Sequence, residues 1–214
     1  MRWIIATRSR GKLTELVPML ADRGIAAVGL EDAGIAHDRA EDDIECYASF
    51  EENALAKARW FAALTKLPCL ADDSGLCIDA LDGRPGVRSR RFAVDERHVR
   101  RSGASDDDAN NDAMLDACWN SGWAPPWAAH FACVAAFVDV ERELCAHGRT
   151  DGVIVPEPSG TGGFGYDPYF VSTTLDVSFA VASREQKARV SHRARAIEHL
   201  LTRVLADGSA ASGR

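Results

Sequence analysis

The amino-acid sequence predicts an α/β protein with a mixed sheet, organised in two lobes. Three observations predict it: strand-like segments alternate with helical ones early in the chain, two apolar segments later are joined by a short polar connection, and an amphipathic stretch closes the chain. With 214 residues, of which 46% are hydrophobic and 27% charged, the composition is that of a globular protein. We expect residues 1–207 to form one domain and residues 208–214 a flexible tail.

The first elements are a strand, a polar turn and two helices. Residues 2–6 form the predicted strand, and residues 12–21 form a helix with leucines on one face. The second helix has a clearer start, because Ser49 and Glu52 have the spacing of a capping box. We expect this helix to end near Thr65.

The middle of the chain adds a short buried strand, residues 69–71, which would deliver Asp72 and Asp73 at its carboxyl end. A helix with an acidic first turn follows, and these acids suit the helix dipole better than they indicate catalysis. The helix, two neighbouring strands and the closing helix are predicted at residues 106–119, 128–140, 142–155 and 190–206.

Charge and cysteine usage exclude several classes of function. A net charge of −7 argues against general nucleic-acid binding, which needs a broad basic surface. The six cysteines contain no CxxC pair, so neither a zinc site nor a disulfide framework is indicated. The longest apolar run, residues 131–138, falls far short of the ~20 residues that span a bilayer, and no secretory cleavage pattern follows Met1. We expect a cytoplasmic protein without a membrane or nucleic-acid partner.

Residues 7–12, TRSRGK, place a polar turn before a helix that opens on Lys12. Backbone N–H groups at a helix N-terminus, together with a lysine, favour an anion. The segment lacks the GxxxxGK[ST] pattern of a Walker A loop. Taken alone, it is equally consistent with a solvated turn. Similarly, Lys57 shares a helical face with Asn53 and is either a ligand-binding or an ordinary surface lysine.

The segment ADDSG, residues 71–75, is more informative. Adjacent carboxylates followed by a serine and a glycine resemble a site for a hard cation, and Mg²⁺ takes one or two carboxylates together with substrate phosphates. A turn held by aspartate side chains is the alternative. A phosphatase of the haloacid dehalogenase type would need two aspartates separated by one residue, which this pair is not.

Residues 158–170, PSGTGGFGYDPYF, carry four glycines around aromatic side chains and a carboxylate. Glycines let the backbone approach a ligand closely and an aromatic ring offers a stacking surface, so a ligand loop is favoured over a tight hairpin. Three basic residues, Lys187, His192 and Arg193, lie near the predicted start of the last helix, where a basic face is ordinarily only solvated.

Five segments now stand in one order: TRSRGK, SFEENALAKA, LADDSGLCIDALDGRPGVRSRRF, GTGGFGYDPYF and SHRARA. Together they resemble the inosine/xanthosine triphosphate pyrophosphatase family, the Ham1-like nucleotidases, from about Ile4 to Leu201. The resemblance implies an elongated mixed sheet flanked by helices, two lobes with a central cleft, and a homodimer. It also implies Mg²⁺-dependent hydrolysis of ITP, dITP and XTP to the monophosphate and pyrophosphate.

The resemblance also implies residue roles. Asp73 would be the general base, and Glu45 and Asp73 would lie at the metal. The residues implied to hold the triphosphate are Thr7, Arg8, Ser9, Arg10, Gly11, Lys12, Lys57, Ser74 and Lys187. Those implied to surround the base are Phe164, Gly165, Tyr166, Asp167, His192 and Arg193.

The chain departs from the family pattern at three places. The first loop usually reads T-x-N-x-x-K, and here Ser9 takes the asparagine position. Cys46-Tyr47 stands where Thr-Gly is usual, and Arg88 and Arg90 stand where a tyrosine and an alanine are common. Two alternatives therefore stay open: a nucleotide-binding protein that has lost turnover, and a pyrophosphatase for a different modified or canonical nucleotide.

Overall fold

The computed structural model describes residues 2–211 of the chain, and its strands form one mixed sheet in the order β2-β1-β3-β4-β5-β6. Strand β1 pairs in parallel with β2 and β3, whereas β5 and β6 are antiparallel. The predicted α/β class with a mixed sheet is therefore confirmed. The strands are β1 (Arg2–Ile5), β2 (Ala26–Gly29), β3 (Cys69–Ile78), β4 (Trp127–Val138), β5 (Glu143–Ile154) and β6 (Phe170–Ser172).

The four predicted helices are present, and two short ones are added. The helices are α1 (Arg10–Ala21), α2 (Phe50–Thr65), α3 (Phe92–Asp95), α4 (Asp106–Asn120), α5 (Arg184–Val190) and α6 (His192–Ala211). Helix α2 begins where the capping box placed it, since Ser49 Oγ accepts from the Glu52 amide over 3.2 Å. Within the predicted tail, α6 continues to Ala211, and residues 212–214 lie outside the described part of the chain. None of the described helices is long and apolar enough to cross a membrane.

Strand β3 is much longer than predicted, and this corrects the placement of the aspartates. Asp72 and Asp73 lie inside the strand, which continues to Ile78. The alternative was a turn held by the aspartate side chains, but the chain stays extended and Gly75 allows a close approach: a Cβ there would lie 2.2 Å from the carbonyl oxygen of Gly86 and 2.5 Å from Ser89 Oγ. The turn alternative for this segment is therefore wrong.

The structure adds a helix that was not predicted near the C-terminus. Lys187, predicted to lie near the start of the closing helix, lies in this short helix α5, which Ser183 caps. Ser191 is extended, with φ −67° and ψ 149°, and separates α5 from His192, the first residue of α6. The predicted closing helix, residues 190–206, therefore begins two residues late in the structure, at His192.

The chain divides into two compact units. The first comprises Met1–Asp73, Cys133–Gly148 and Arg193–Arg214, and the second comprises Ser74–Ala132 and Arg149–His192. In the first unit the sheet separates two cores, one covered by α1 and α6 and the other by α2. The second unit has its own core, which α4 and the residues around β6 share.

Candidate active site

Strand β3 directs its two aspartates to opposite faces of the sheet, because side chains alternate along a strand. Leu70, two residues before Asp72, packs in the core covered by α1 and α6. Ala71, two residues before Asp73, packs in the core covered by α2. The adjacent carboxylates therefore meet different partners, which supports different roles.

Asp72 is completely buried and is held by cations. Its Oδ2 accepts from Arg193 Nε over 3.0 Å and lies 3.0 Å from Lys12 Nζ, which also donates to the Asp72 carbonyl oxygen over 3.2 Å. Burial by itself would raise the pKa of Asp72, but Lys12, Arg193 and Lys57 outweigh it and hold the pKa far below its usual range. Asp72 is therefore a permanent negative charge that fixes the positions of two cations.

Arg193 also forms an ion pair with Glu15 on α1. Burial would lower the pKa of Arg193, but Asp72 and Glu15 outweigh it and raise the pKa further. The structure thus joins Arg193 to the carboxylates of the first unit. Its role beside the base stays a prediction.

Asp73 has a neutral partner. Its Oδ2 accepts from Asn53 Nδ2 over 3.0 Å, and Asn53 is itself oriented because its Oδ1 accepts from the Tyr47 amide over 2.9 Å. Burial raises the pKa of Asp73 above its usual value despite the opposing effect of Lys57 and Lys12. The result is an oriented carboxylate that is more basic than an ordinary aspartate.

Lys57 reaches Glu45, twelve residues earlier, and forms an ion pair with it. Burial would lower the pKa of Lys57, but Glu45, Asp72 and Asp73 outweigh it and raise the pKa. In the same way, burial would raise the pKa of Glu45 but Lys57 lowers it. Lys57 is therefore not an isolated surface lysine: it lies among all the carboxylates of this site.

The first loop is ordered by its own hydroxyl groups. Thr7 Oγ1 accepts from the Ser9 amide over 3.1 Å, and Ser9 Oγ accepts from the Lys12 amide over 3.4 Å and caps α1. Arg10 is exposed at the start of that helix, followed by Gly11 in its first turn. Serine is a good N-cap, as asparagine is, so the departure from the family pattern preserves this bond.

Arg8 points to a different set of partners. Its guanidinium donates to both carboxylate oxygens of Glu41, over 3.1 and 2.7 Å, and to the carbonyl oxygens of Ile35 and Ala36 over 2.8 and 3.0 Å. Arg8 therefore ties the first loop to the segment before Glu45, and its role in holding the triphosphate stays a prediction.

In the second unit three of the predicted residues form one group. Lys187 Nζ lies 2.7 Å from Asp167 Oδ2 and 5.0 Å from the centre of the Phe164 ring. The Phe164 amide donates to the same Asp167 oxygen over 2.9 Å. The structure thus groups Lys187, predicted to hold phosphate, with two residues predicted to surround the base.

The other predicted residues of this unit have structural partners. Tyr166 is buried, and its hydroxyl donates to the Ser89 carbonyl oxygen over 2.8 Å, so it anchors the loop rather than presenting its ring. His192 is buried and stacks on Phe131, with ring centres 4.7 Å apart. Ser74 follows Asp73 on β3 and is half-buried.

Sequence reasoning missed three residues of the site. Asn53 was noted only as sharing a face with Lys57, Asp72 received no role of its own, and Glu15 was overlooked. A signal existed for Glu15, since it lies three residues after Lys12 on one helical face. The partners of Asp72 and Asn53 come from distant segments, which no local pattern reveals.

Comparisons with known proteins agree with this geometry. A sequence model described as the Ham1 family matches residues 3–203. The chain is 44% identical to the dITP/XTP pyrophosphatase of Nocardia farcinica over 204 residues, which cover 94% of this chain and 93% of that protein. It is 38% identical to the dITP/XTP pyrophosphatase of Escherichia coli K12 over 201 residues, covering 92% and 95%.

Among solved structures, a HAM1 protein from Coxiella burnetii superimposes with a TM-score of 0.79 at 33% identity, covering 97% of this chain and 99% of that one. The Staphylococcus aureus Ham1 protein gives a TM-score of 0.75 at 30% identity, covering 98% and 100%. A family model that matches nearly the whole chain and relatives of this identity and coverage lead to one conclusion: the chain belongs to the Ham1 family.

Proposed function

We propose that the protein hydrolyses the non-canonical purine nucleoside triphosphates ITP, dITP and XTP to the monophosphate and pyrophosphate. The names of its relatives support this reaction. The single observation that carries it is the environment of Asp73: a buried carboxylate of raised pKa, oriented by Asn53 and facing the Lys57–Glu45 pair.

Asp73 is suited to be the general base. A base must bind a proton well and be held in a fixed direction, and both conditions are met by burial and by the bond from Asn53. In the proposed reaction Asp73 takes a proton from the water that attacks the α-phosphorus. Pyrophosphate then leaves as the anion that the lysines stabilise.

The triphosphate requires positive charge, which an acidic protein must concentrate locally. Lys12, in the first turn of α1, and Lys57 supply it in the first unit, and backbone N–H groups at the start of α1 add to it. Asp72 holds Lys12 in place, so its buried charge acts on the substrate through that lysine.

Mg²⁺ fits the donor set of this site. Glu45 and Asp73 offer carboxylate oxygens, and the charge of Glu45 helps to raise the pKa of Asp73, so a cation between them would relieve repulsion. Among the described residues no group of three or more His, Cys, Asp or Glu forms a metal centre by itself. A site completed by substrate phosphates is therefore proposed, in which bound Mg²⁺ would polarise the phosphoryl oxygens.

Base selection is proposed to use Asp167 and Lys187. The 6-oxo purines present an acceptor at O6 and a donor at N1, whereas adenine presents the reverse. An ammonium group only donates and a carboxylate only accepts, so this pair matches the 6-oxo pattern. Neither contact can form with adenine, and the loss of such contacts can cost ~10⁴-fold in rate in favourable cases.

The departures from the family pattern are compatible with turnover. Ser9 keeps the helix cap, and the backbone of Tyr47 contributes the bonds that orient Asn53, over 2.9 and 3.3 Å. The homodimer implied by the resemblance and the cytoplasmic location expected from the sequence both stay predictions.

The test is to incubate the purified protein with ITP, dITP, XTP, GTP and ATP, each with Mg²⁺ and with chelator, and to measure pyrophosphate. We expect pyrophosphate from ITP, dITP and XTP with Mg²⁺ only, and far less from ATP. Guanine shares the 6-oxo pattern, so the rate with GTP measures the discrimination that the Asp167–Lys187 pair does not supply. Equal release from ATP and ITP, or orthophosphate in place of pyrophosphate, would contradict the proposal. Tight ITP binding without hydrolysis would identify a nucleotide-binding protein instead.

A further inference from the structure

Helix α4 contacts the loop that carries Phe164 and Asp167. The acidic first turn of α4 suits the helix dipole, but the dipole does not account for these contacts. We propose that Asp107 and Asn111 of α4 are positioning residues for base recognition, acting through Gly165. This proposal rests on the function proposed above, because it assigns the base-binding role to the same loop.

The two residues hold Gly165 by both of its backbone groups. The Gly165 amide donates to Asp107 Oδ2 over 2.8 Å, and Asn111 Nδ2 donates to the Gly165 carbonyl oxygen over 3.1 Å. Asp107 and Asn111 are four residues apart and therefore lie on one face of the helix. One helical face thus binds the two successive peptide groups that connect Phe164 to Tyr166.

Gly165 is a position of this loop at which such a restraint has an effect. Its φ of +62° lies in the left-handed region, and a Cβ built there would meet no heavy atom within 4 Å. Glycine moves between backbone conformations more easily than any other residue. Fixing both peptide groups of Gly165 therefore fixes the direction of the Phe164 ring on one side and of Asp167 on the other.

Helix capping does not account for Asp107. The cap of α4 is complete without it, because Ser105 and Asp108 form a reciprocal capping box. The third acid of the turn, Asp106, pairs with Arg100 over 2.7 Å. Of the three, Asp107 is the one whose carboxylate binds the Gly165 amide.

Asn111 points to the same role. Its side chain is buried, with 6% of the residue exposed, and its Oδ1 makes no hydrogen bond to any described residue. A buried amide with an unpaired oxygen is costly for stability. The neighbouring Asn110 uses both ends of its amide for the backbone of Arg90 and Ala93, so it is fully accounted for by structure. What Asn111 contributes is its donor to the loop.

The experiment compares Asp107→Ala with Asp106→Ala, a matched loss of one exposed acid from the same turn. Titration calorimetry measures the affinities for inosine monophosphate and for pyrophosphate separately, and steady-state kinetics give kcat/KM for ITP. For Asp107→Ala we expect the affinity for inosine monophosphate and kcat/KM for ITP each to fall about tenfold. The affinity for pyrophosphate should stay within about twofold of wild type. Asp107→Asn, which keeps an acceptor oxygen, should restore most of the affinity.

Asn111→Ala should show the same selective loss, provided that thermal unfolding confirms a folded protein. Equal effects of Asp107→Ala and Asp106→Ala, or a parallel loss of inosine monophosphate and pyrophosphate affinity, would overturn the positioning role. Failure of the proposed function looks different: wild type itself would then release no pyrophosphate from ITP. Monophosphate binding does not need turnover, so it decides the positioning role in either case.

Discussion

Arg193 Nε donates to Asp72 Oδ2 across 3.0 Å, between two side chains that are at most 3% exposed. A buried ion pair of this kind contributes little net stability compared with apolar residues, but it is costly to break because one charge is left without compensation. Asp72 additionally fixes Lys12, so the pair joins α6, β3 and α1 into one arrangement. The stability of the fold and the position of a phosphate-binding lysine therefore depend on the same carboxylate.

Replacing Asp72 by asparagine should destabilise the protein by about 3 kcal/mol, because Arg193 and Lys12 would lose their counter-charge in a buried site. Urea denaturation gives the difference. Asp95→Asn is the matched control, since Asp95 pairs with Arg88 at the surface. This substitution should lower the free energy of unfolding by less than about 1 kcal/mol. Similar losses for both variants would show that the Asp72 pair has no special role.

Replacing Asp73 by asparagine should abolish turnover while preserving the fold, because the amide cannot accept the proton from water. A loss of at least about 10²-fold in kcat is expected. Asn53→Ala should lower kcat less, since it removes only the bond that orients Asp73. Pyrophosphate release measures both, with circular dichroism to confirm folding. Near-normal turnover of Asp73→Asn would remove Asp73 from the role of base.

Arg8 should contribute to the stability of the fold. Arg8→Ala removes the partner of Glu41 and should cost about 2 kcal/mol at neutral pH, as expected for charged hydrogen bonds. Arg10 lies two residues further on and is exposed, so Arg10→Ala should leave the free energy of unfolding almost unchanged. Thermal or urea unfolding compares the two. Equal losses would refute the structural role of Arg8.

The stability difference between wild type and Arg8→Ala should depend on pH. Although burial opposes it, Arg8 lowers the pKa of Glu41 in the folded protein. A carboxylate with a lowered folded-state pKa contributes its stability above the unfolded-state pKa of about 4.3 and loses it as the pH falls further. Unfolding measured from neutral to acid pH should therefore show the two proteins converging below that value. A difference constant with pH would exclude this ion pair as its source.

Gly163→Ala should disturb base selection. A Cβ at Gly163 would lie 2.1 Å from Asp167 Oδ2, and the glycine φ is +73°. Gly34→Ala is the control, since Gly34 has φ +74° but no heavy atom within 4 Å of such a Cβ. Backbone strain of about 1–2 kcal/mol is expected in both. The preference for ITP over ATP should fall only in Gly163→Ala, and an equal preference in the two variants would contradict the role of Asp167.

The parts of the fold that the sequence could predict are those with a local cause. The helix cap at Ser49, whose Oγ accepts from the Glu52 amide, is satisfied within four residues, and the Ser49–Glu52 spacing located α2 correctly. The long strand β3 could not be predicted in the same way, because the glycine that interrupts its pattern serves contact with Gly86, eleven residues away. Its length depends on neighbours that become adjacent only after folding.

The same distinction applies to the candidate site. The motifs drew attention to Lys57, Asp73 and Asp167, and the resemblance to the family supplied the roles that stay predictions for them. The motifs could not assign partners to Arg8 or Arg193, because an arginine reaches any acid within range of its long side chain. Glu41 is 33 residues from Arg8 in the sequence, and Asp72 is 121 residues from Arg193.

The serine at position 9 bears on how related chains can be found. Its hydroxyl makes the contact to the Lys12 amide that an asparagine would make, so the requirement at this position is an acceptor of short reach. A genome search that insists on asparagine would discard this chain, whereas one that admits serine, threonine and aspartate would retain it. The residue types that fit position 9 are thus those whose side chain can accept a hydrogen bond from the helix. A difference among these types is not by itself evidence of a different substrate.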